Sequence, residues 1–282
     1  MRIRLSATAG KVIAAILLIF MCESTFAGNR KWITANDKYA SITKETGPFT
    51  SIKILGSIHL KVTQTTGERK VEIYGPDNIV PLVATNRMGS TLWVRLKTSS
   101  SVRLDGKTLE VRVYMPNIKS LSINGSGNII LPGEIKSAGE ISLNVAGSGR
   151  LTGSKVKCGK LNIATSGSGD LFLKTAEASE IKAKVSGSGN MDVYEIKSVS
   201  ISGTLGGSGN IRFSGKTVNA NYRVAGSGTI MASDLKAQFV KARTSGSGDI
   251  DCYASEKIEG SSIGSGSIIY KGKPKYASVK NK

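Results

Sequence analysis

One histidine, three cysteines, six prolines and a 6% share of aromatic residues leave this 282-residue chain short of the groups from which most enzyme sites are built. His59 stands alone on an alternating segment, Ile58-His59-Leu60, facing away from its apolar neighbours. Without a second histidine or a nearby cysteine it is expected to be a surface residue, neither a metal ligand nor an activated base. The aromatic residues are not interleaved with basic ones, which removes the stacking platform of a single-strand binder, so no specific nucleic-acid partner is expected. Long apolar runs are missing too. The stretch Val12 to Met21 is too short for a membrane span, which needs about 18 or more residues. It follows Arg2, Arg4 and Lys11 and precedes Thr25-Phe26-Ala27, the layout of a secretory signal cut after Ala27. Met21 occupies the place where a small residue precedes a lipidated cysteine, so Cys22 is not expected to carry a lipid anchor. The protein is therefore expected to be exported, to the periplasm, the outer surface or the medium, with no membrane-spanning segment in the mature chain.

What the chain has in quantity is glycine. Gly-Ser-Gly begins at Gly125, Gly147, Gly167, Gly187, Gly207, Gly226, Gly246 and Gly264, a period close to 20 residues. A fixed period of this size marks a solenoid, whose repeats bury their apolar faces only by stacking. Four residues after each first glycine stands an apolar side chain: Ile129, Leu151, Leu171, Met191, Ile211, Ile230, Ile250 and Ile268. A second inward column is expected two residues on, at Leu131, Gly153, Leu173, Val193, Phe213, Ala232, Cys252 and Tyr270. Ahead of the motif, Ile141-Leu143-Val145, Leu161-Ile163-Thr165 and Ile181-Ala183-Val185 alternate with polar residues. Alternation over such short, β-branched runs predicts strands with one buried face.

The fold class expected is all-β: a right-handed parallel β-helix-like solenoid. Each coil should hold two short strands joined at a Gly-Ser-Gly corner, with a looser turn closing it. At about 4.8 Å per coil, the eight coils make a rod on the order of 40 Å. Glycine suits the corner because it accepts positive φ and lets one coil lie close on the next. The small residues just before the motif (Ala146, Ser166, Ser186, Gly206, Ala225, Ser245) suggest crowding there, and the residue after it (Asn128, Asp170, Asn190, Asn210, Asp249) is expected to bond local backbone. Neither a calcium-binding nonapeptide nor a P-loop fits the pattern, since the required aspartate, Gly-Lys-Ser/Thr and helix are missing. No cofactor or metal is expected. Cys252 should pack inward as a small hydrophobe, and Cys158 falls in the closing turn. Coils that far apart cannot join the two in a disulfide.

The chain divides into a signal (residues 1–27), a polar lead-in (28–46), an N-terminal β region without the motif (47–117), the Gly-Ser-Gly solenoid (118–272) and a basic tail (273–282). The third segment reads equally as atypical coils or as a separate cap. The runs Gly47 to Ile54, Val71 to Gly75 and Val113 to Asn117, the Gly-Ser-Gly-Asn repeats, and Tyr270 to Lys275 together resemble the head GIN domain family. That resemblance implies a secreted or surface bacterial protein of β-helical fold, of a kind often labelled an autotransporter adhesin. It carries over no catalytic residues, and the chain shows no appended translocator barrel.

Charge is the remaining functional signal. The chain carries a formal +19, and loss of residues 1–27 removes three basic and one acidic residue to leave +17. Much of the excess falls at outward strand positions, Lys182, Lys184, Arg223, Lys241 and Arg243, which are the expected binding residues. Such a face concentrates polyanions in a salt-dependent way, and for an exported protein those are anionic glycans, lipopolysaccharide and other cell-surface components. The expected function is a non-enzymatic, adhesin-like or envelope-associated binding protein. A carbohydrate-active enzyme using Asp249 and Asp251, or a passive spacer, are the alternatives. Two carboxylates on one face are what glycoside hydrolysis needs.

Overall fold

The computed structural model describes residues 32–97 and 101–280, and the expected signal peptide and Cys22 lie outside them. Among the described residues there is no α-helix, and a single 3-10 turn, Val80–Leu82, interrupts the strands. About eight parallel coils stack into a β-solenoid. Like residues sit over like: Leu151 pairs with Leu171, which pairs with Met191, then Ile211, Ile230, Ile250 and Ile268. This column is buried along its whole length, in one continuous core.

The coils are more regular than two short strands and a loose turn. Arg150–Gly167, Asp170–Gly187 and Asn190–Gly207 each run extended for 18 residues, and the segment expected to be a turn keeps its ladder. Cys158 is consequently not in a turn. It lies buried in strand, paired with Ala178, and its thiol contacts the Lys160 carbonyl oxygen at 3.3 Å. At the other end the second inward column breaks down. Cys252 is buried, but Tyr270 on the next rung is 38% exposed because it sits on the last turn of the stack. Elsewhere in the core, small residues make room for large ones. A Cβ on Gly203 would meet Phe213 at 3.0 Å and Tyr222 at 3.3 Å, and those two rings stack with centroids 6.3 Å apart.

The corner owes its geometry to both glycines, for different reasons. Gly207 has φ 129°, and a Cβ on it would lie 2.3 Å from the Gly187 carbonyl oxygen. Gly209 needs no unusual φ, yet its Cβ would lie 2.0 Å from the Gly189 oxygen. This close approach lets the N–H groups of Ser208 and Gly209 both donate to the Gly187 carbonyl, at 3.0 Å each. The residue before the motif is not crowded: a Cβ on Gly206 would meet nothing nearer than 4.0 Å, and Ile263 occupies the same place exposed.

Parallel stacking continues below the first Gly-Ser-Gly. Ser51–Leu55 pairs with Ser120–Gly125 and His59–Gln64 with Asn128–Lys136, and the Gly56 carbonyl accepts from Ser126 and Gly127 as the corner glycines do. Beneath lie Thr91–Leu96 and Glu110–Met115, both parallel to the coil above. Antiparallel strands then finish that end. Lys70–Pro76 joins Glu110–Met115, Tyr39–Lys44 joins Lys70–Pro76, and Val83–Met88 joins Thr91–Leu96. At the opposite end, Tyr276–Lys280 adds a rung to Ile250–Ile263.

Candidate functional site

Because coils stack in register, outward residues form columns whose composition can be read like a surface map. The five expected basic residues fall in two neighbouring outward columns of one sheet face, and all five are exposed. One column runs Lys184, Thr204, Arg223, Arg243, Ser261, Lys280. The other runs Lys182, Ser202, Asn221, Lys241, Glu259. Lys182 is held by Glu180 at 3.1 Å, a hydrogen bond that raises the lysine pKa and lowers that of the carboxyl. Among the described residues, no carboxylate forms an ion pair with Lys184, Arg223, Lys241 or Arg243. Lys241 and Arg243 feel the charge of Glu259, the register partner of Lys241. The Glu259 carboxyl is held below the usual range first by a hydrogen bond from Lys257 and then by that lysine's charge, with Lys241 and Arg243 adding less.

The column one step further round behaves differently at its start. Glu140, Lys160 and Glu180 alternate in sign, with the Lys160 ammonium 3.8 and 3.7 Å from the two carboxylates. Past Glu180 the column becomes Ser200, Asn219, Phe239 and Lys257. The short residues Ser200, Ser202, Asn219 and Asn221 share two adjacent rungs and leave an open trough of about 600 Å³. Glu180 bounds it at one end, and Phe239 and Lys257 at the other. Phe239 is 43% exposed there.

A second basic column was missed by reading strand alternation alone. Lys136, Lys157, Glu177, Lys197, Lys216 and Lys236 are successive register partners. Glu177 lies 3.7 Å from Lys157 and 3.5 Å from Lys197, and Lys236 sits 4.0 Å over the Tyr253 ring. The sequence signal is a lysine nine to eleven residues after the motif starts at Gly125, Gly147, Gly187, Gly207 and Gly226, in the segment expected to be a loose turn.

The carboxylates are engaged in holding the coils together. The Asp249 carboxylate accepts from the Ser267 N–H at 2.8 Å and the Ser267 hydroxyl at 2.9 Å. Asn128 accepts from the Arg150 N–H at 3.0 Å and Asp170 from the Asn190 N–H at 3.2 Å, so these side chains bond the next coil and not their own turn. Burial, then the charge of Asp249, raises the pKa of Asp251. Asp170 and Asp192 share a shallower dent with Arg150 and Arg212, and the Arg150–Asp170 pair closes to 2.9 Å. Among the described residues no group of His, Cys, Asp and Glu could hold a metal ion. His59 is exposed, between Asn128 and Glu110 on neighbouring strands.

The chain is a parallel β-solenoid whose outer columns present cations that, among the described residues, form no ion pair. The chain belongs to the family described as "Putative auto-transporter adhesin, head GIN domain", whose model matches residues 48–199 and, overlapping through the repeats, 173–274. No curated protein matches it. Its fold is shared with several solved structures. A "putative lipid binding protein" of Parabacteroides distasonis is 24% identical over 88% of this chain and 96% of its own, with a TM-score of 0.66. A "putative adhesin" of Parabacteroides merdae is 23% identical over 89% and 95%, with a TM-score of 0.63. Another, of Bacteroides fragilis, is 25% identical over 88% and 94%, with a TM-score of 0.54.

Proposed function

We propose that this is an exported, non-enzymatic, adhesin-like protein of the cell envelope that holds anionic surface polymers on the face carrying Lys182, Lys184, Arg223, Lys241 and Arg243. The observation that carries the reading is the direct register of Arg223 on Arg243, with Lys184 two rungs away and no ion pair to any of the three. Like charges directly opposite one another in a sheet are destabilising, and the fold has no use for them here. A polyanion laid along the column relieves that repulsion and gains charge-assisted hydrogen bonds to both guanidinium groups. Membership of an adhesin-named family supports export and surface display.

The test is retention of the purified protein on immobilised lipopolysaccharide, acidic glycan and DNA through a salt series, with each glycan assayed for cleavage. Retention of one class at physiological salt, lost in the Lys184→Ala/Arg223→Ala/Arg243→Ala variant, is the expected result. Turnover abolished by Asp251→Asn would overturn the non-enzymatic reading. Loss of all retention below physiological salt would reduce the charge to a solubility device.

A further inference from the structure

We propose that the trough between Glu180 and Phe239 is a saccharide subsite that takes one or two sugar units of an acidic glycan, a refinement that rests on the polyanion reading above. The trough exists because two outward columns shorten together. Glu180, Ser200, Asn219 and Phe239 run long, short, short, long, and beside them Lys182, Ser202, Asn221 and Lys241 do the same. The walls stand three rungs apart, about 14 Å at the usual inter-strand spacing, which suits a sugar pair lying along the stack.

The lining suits a sugar in kind as well as size. Phe239 offers exposed aromatic surface to the apolar side of a pyranose. Asn219 and Asn221 each present an amide with both donors and an acceptor, and Ser200 and Ser202 present hydroxyls, the groups that match a ring of hydroxyls. Ile181, Ile201, Ala220 and Val240 lie buried beneath the trough, so the apolar contact open to a sugar is Phe239. The charge at the rim sets the sign of the ligand. Lys241 lines the trough without an ion pair, and Arg223 and Arg243 stand in the adjoining column. Glu180 and Glu259 at the margins are each held by a lysine, at 3.1 Å from Lys182 and 2.6 Å from Lys257. A uronate or sulfated sugar therefore meets a free cation where its charge would lie, and paired carboxylates elsewhere. Phe239 is the one exposed apolar side chain lining the trough, set among serines, asparagines, lysines and carboxylates, which favours a glycan over a lipid surface.

The test is calorimetric titration of the purified protein with oligogalacturonate and chondroitin sulfate oligosaccharides. Controls are a neutral maltooligosaccharide, a DNA oligonucleotide, and vesicles of phosphatidylcholine with phosphatidylglycerol. Phe239→Ala removes the platform and Asn219→Trp fills the trough. Both positions are exposed, and an unchanged melt confirms the fold of each variant. Each should weaken an acidic oligosaccharide about tenfold, the loss typical of truncating a central contact, while DNA affinity stays put. The triple alanine variant of Lys184, Arg223 and Arg243 should weaken every polyanion together. Unchanged oligosaccharide affinity in both trough variants, with loss only in the charge variant, overturns the subsite and leaves the basic face standing. Equal binding of the neutral oligosaccharide overturns its acidic specificity, and vesicle binding lost with Phe239→Ala makes the trough a lipid contact. Failure to bind any polyanion removes both readings.

Discussion

Replacing Gly209 with alanine asks whether the second glycine of each corner is there for space. Its φ is not positive, so the cost in the folded state must come from contact, offset by about 0.4–1 kcal/mol from the unfolded chain. The added Cβ would stand 2.0 Å from the Gly189 oxygen, with the carbonyl carbons of Gly189 and Ser188 at 3.1 Å. Reaching an ordinary contact of about 3.4 Å means parting two coils by more than 1 Å, against backbone that cannot rotate away. Overpacking of that kind costs about 1–3 kcal/mol. The same movement stretches the two hydrogen bonds that Ser208 and Gly209 donate to Gly187, now 3.0 Å each, for about 0.5–1.5 kcal/mol apiece. A total of about 3 kcal/mol corresponds to a fall in Tm of about 6–12 °C for a domain near this size. The internal control is Gly206→Ala, three residues away. Its Cβ meets nothing nearer than 4.0 Å and its φ is not positive, so it should gain about 0.4–1 kcal/mol through the unfolded chain. Thermal melts of the two variants beside the parent decide the matter. Gly209→Ala melting with the parent, or Gly206→Ala losing as much, would refute the account of the corner.

In the core, Ile163→Ala should cost about 2–5 kcal/mol, read from urea denaturation, because Ile163 is fully buried between Leu143 and Ala183. Tyr222→Phe should raise the melting temperature, since among the described residues nothing hydrogen-bonds the buried Tyr222 hydroxyl. Burial pushes the thiol pKa values up, to about 11 for Cys158 and about 12 for Cys252, so neither should react with a thiol reagent at pH 8 until the protein unfolds. The sign of the accompanying linkage follows: an unfolded thiol ionises from about pH 9 while the folded one stays protonated, so native stability should fall as pH rises from 9 towards 12. Replacing both cysteines with alanine should flatten that part of a Tm-against-pH curve.

Much of the architecture was legible because a solenoid repeats its physical demands. Every coil needs the same inward apolar column and the same tight corner, so the period of Gly-Ser-Gly and the alternation around it are the fold written out. Where the demand changes, the signal changes. Gly56-Ser57-Ile58 forms the same corner, yet its third residue is isoleucine. The layer beneath it is made of Thr91–Leu96 and Glu110–Met115, two strands with a long connection between them. No corner lies directly below to exclude a side chain. The turn expected around Cys158 failed for a related reason. Polar residues at outward positions of a continuous ladder look like a loop when each coil is read alone, and only register shows Lys157 over Lys136 and Cys158 over a core position.

The outer columns carry information of a different kind, because the fold asks almost nothing of them. The outward position three residues before the motif holds Ser122, Asn144 and Ala164 in the early coils, then Lys184, Thr204, Arg223 and Arg243 in the later ones. The ladder is the same along this series, and Arg223 is flanked by the inward Tyr222 and Val224 where Arg243 is flanked by the small Ala242 and Thr244, so neither ladder formation nor one kind of inward packing accounts for the change. A requirement for solubility would be met by charge anywhere, with alternating signs serving best, as Glu140, Lys160 and Glu180 show one column away. Cations gathered on the later coils, stacked against their own repulsion and beside the trough, need a cause outside the fold. The polyanion proposed above, laid along that face, is such a cause.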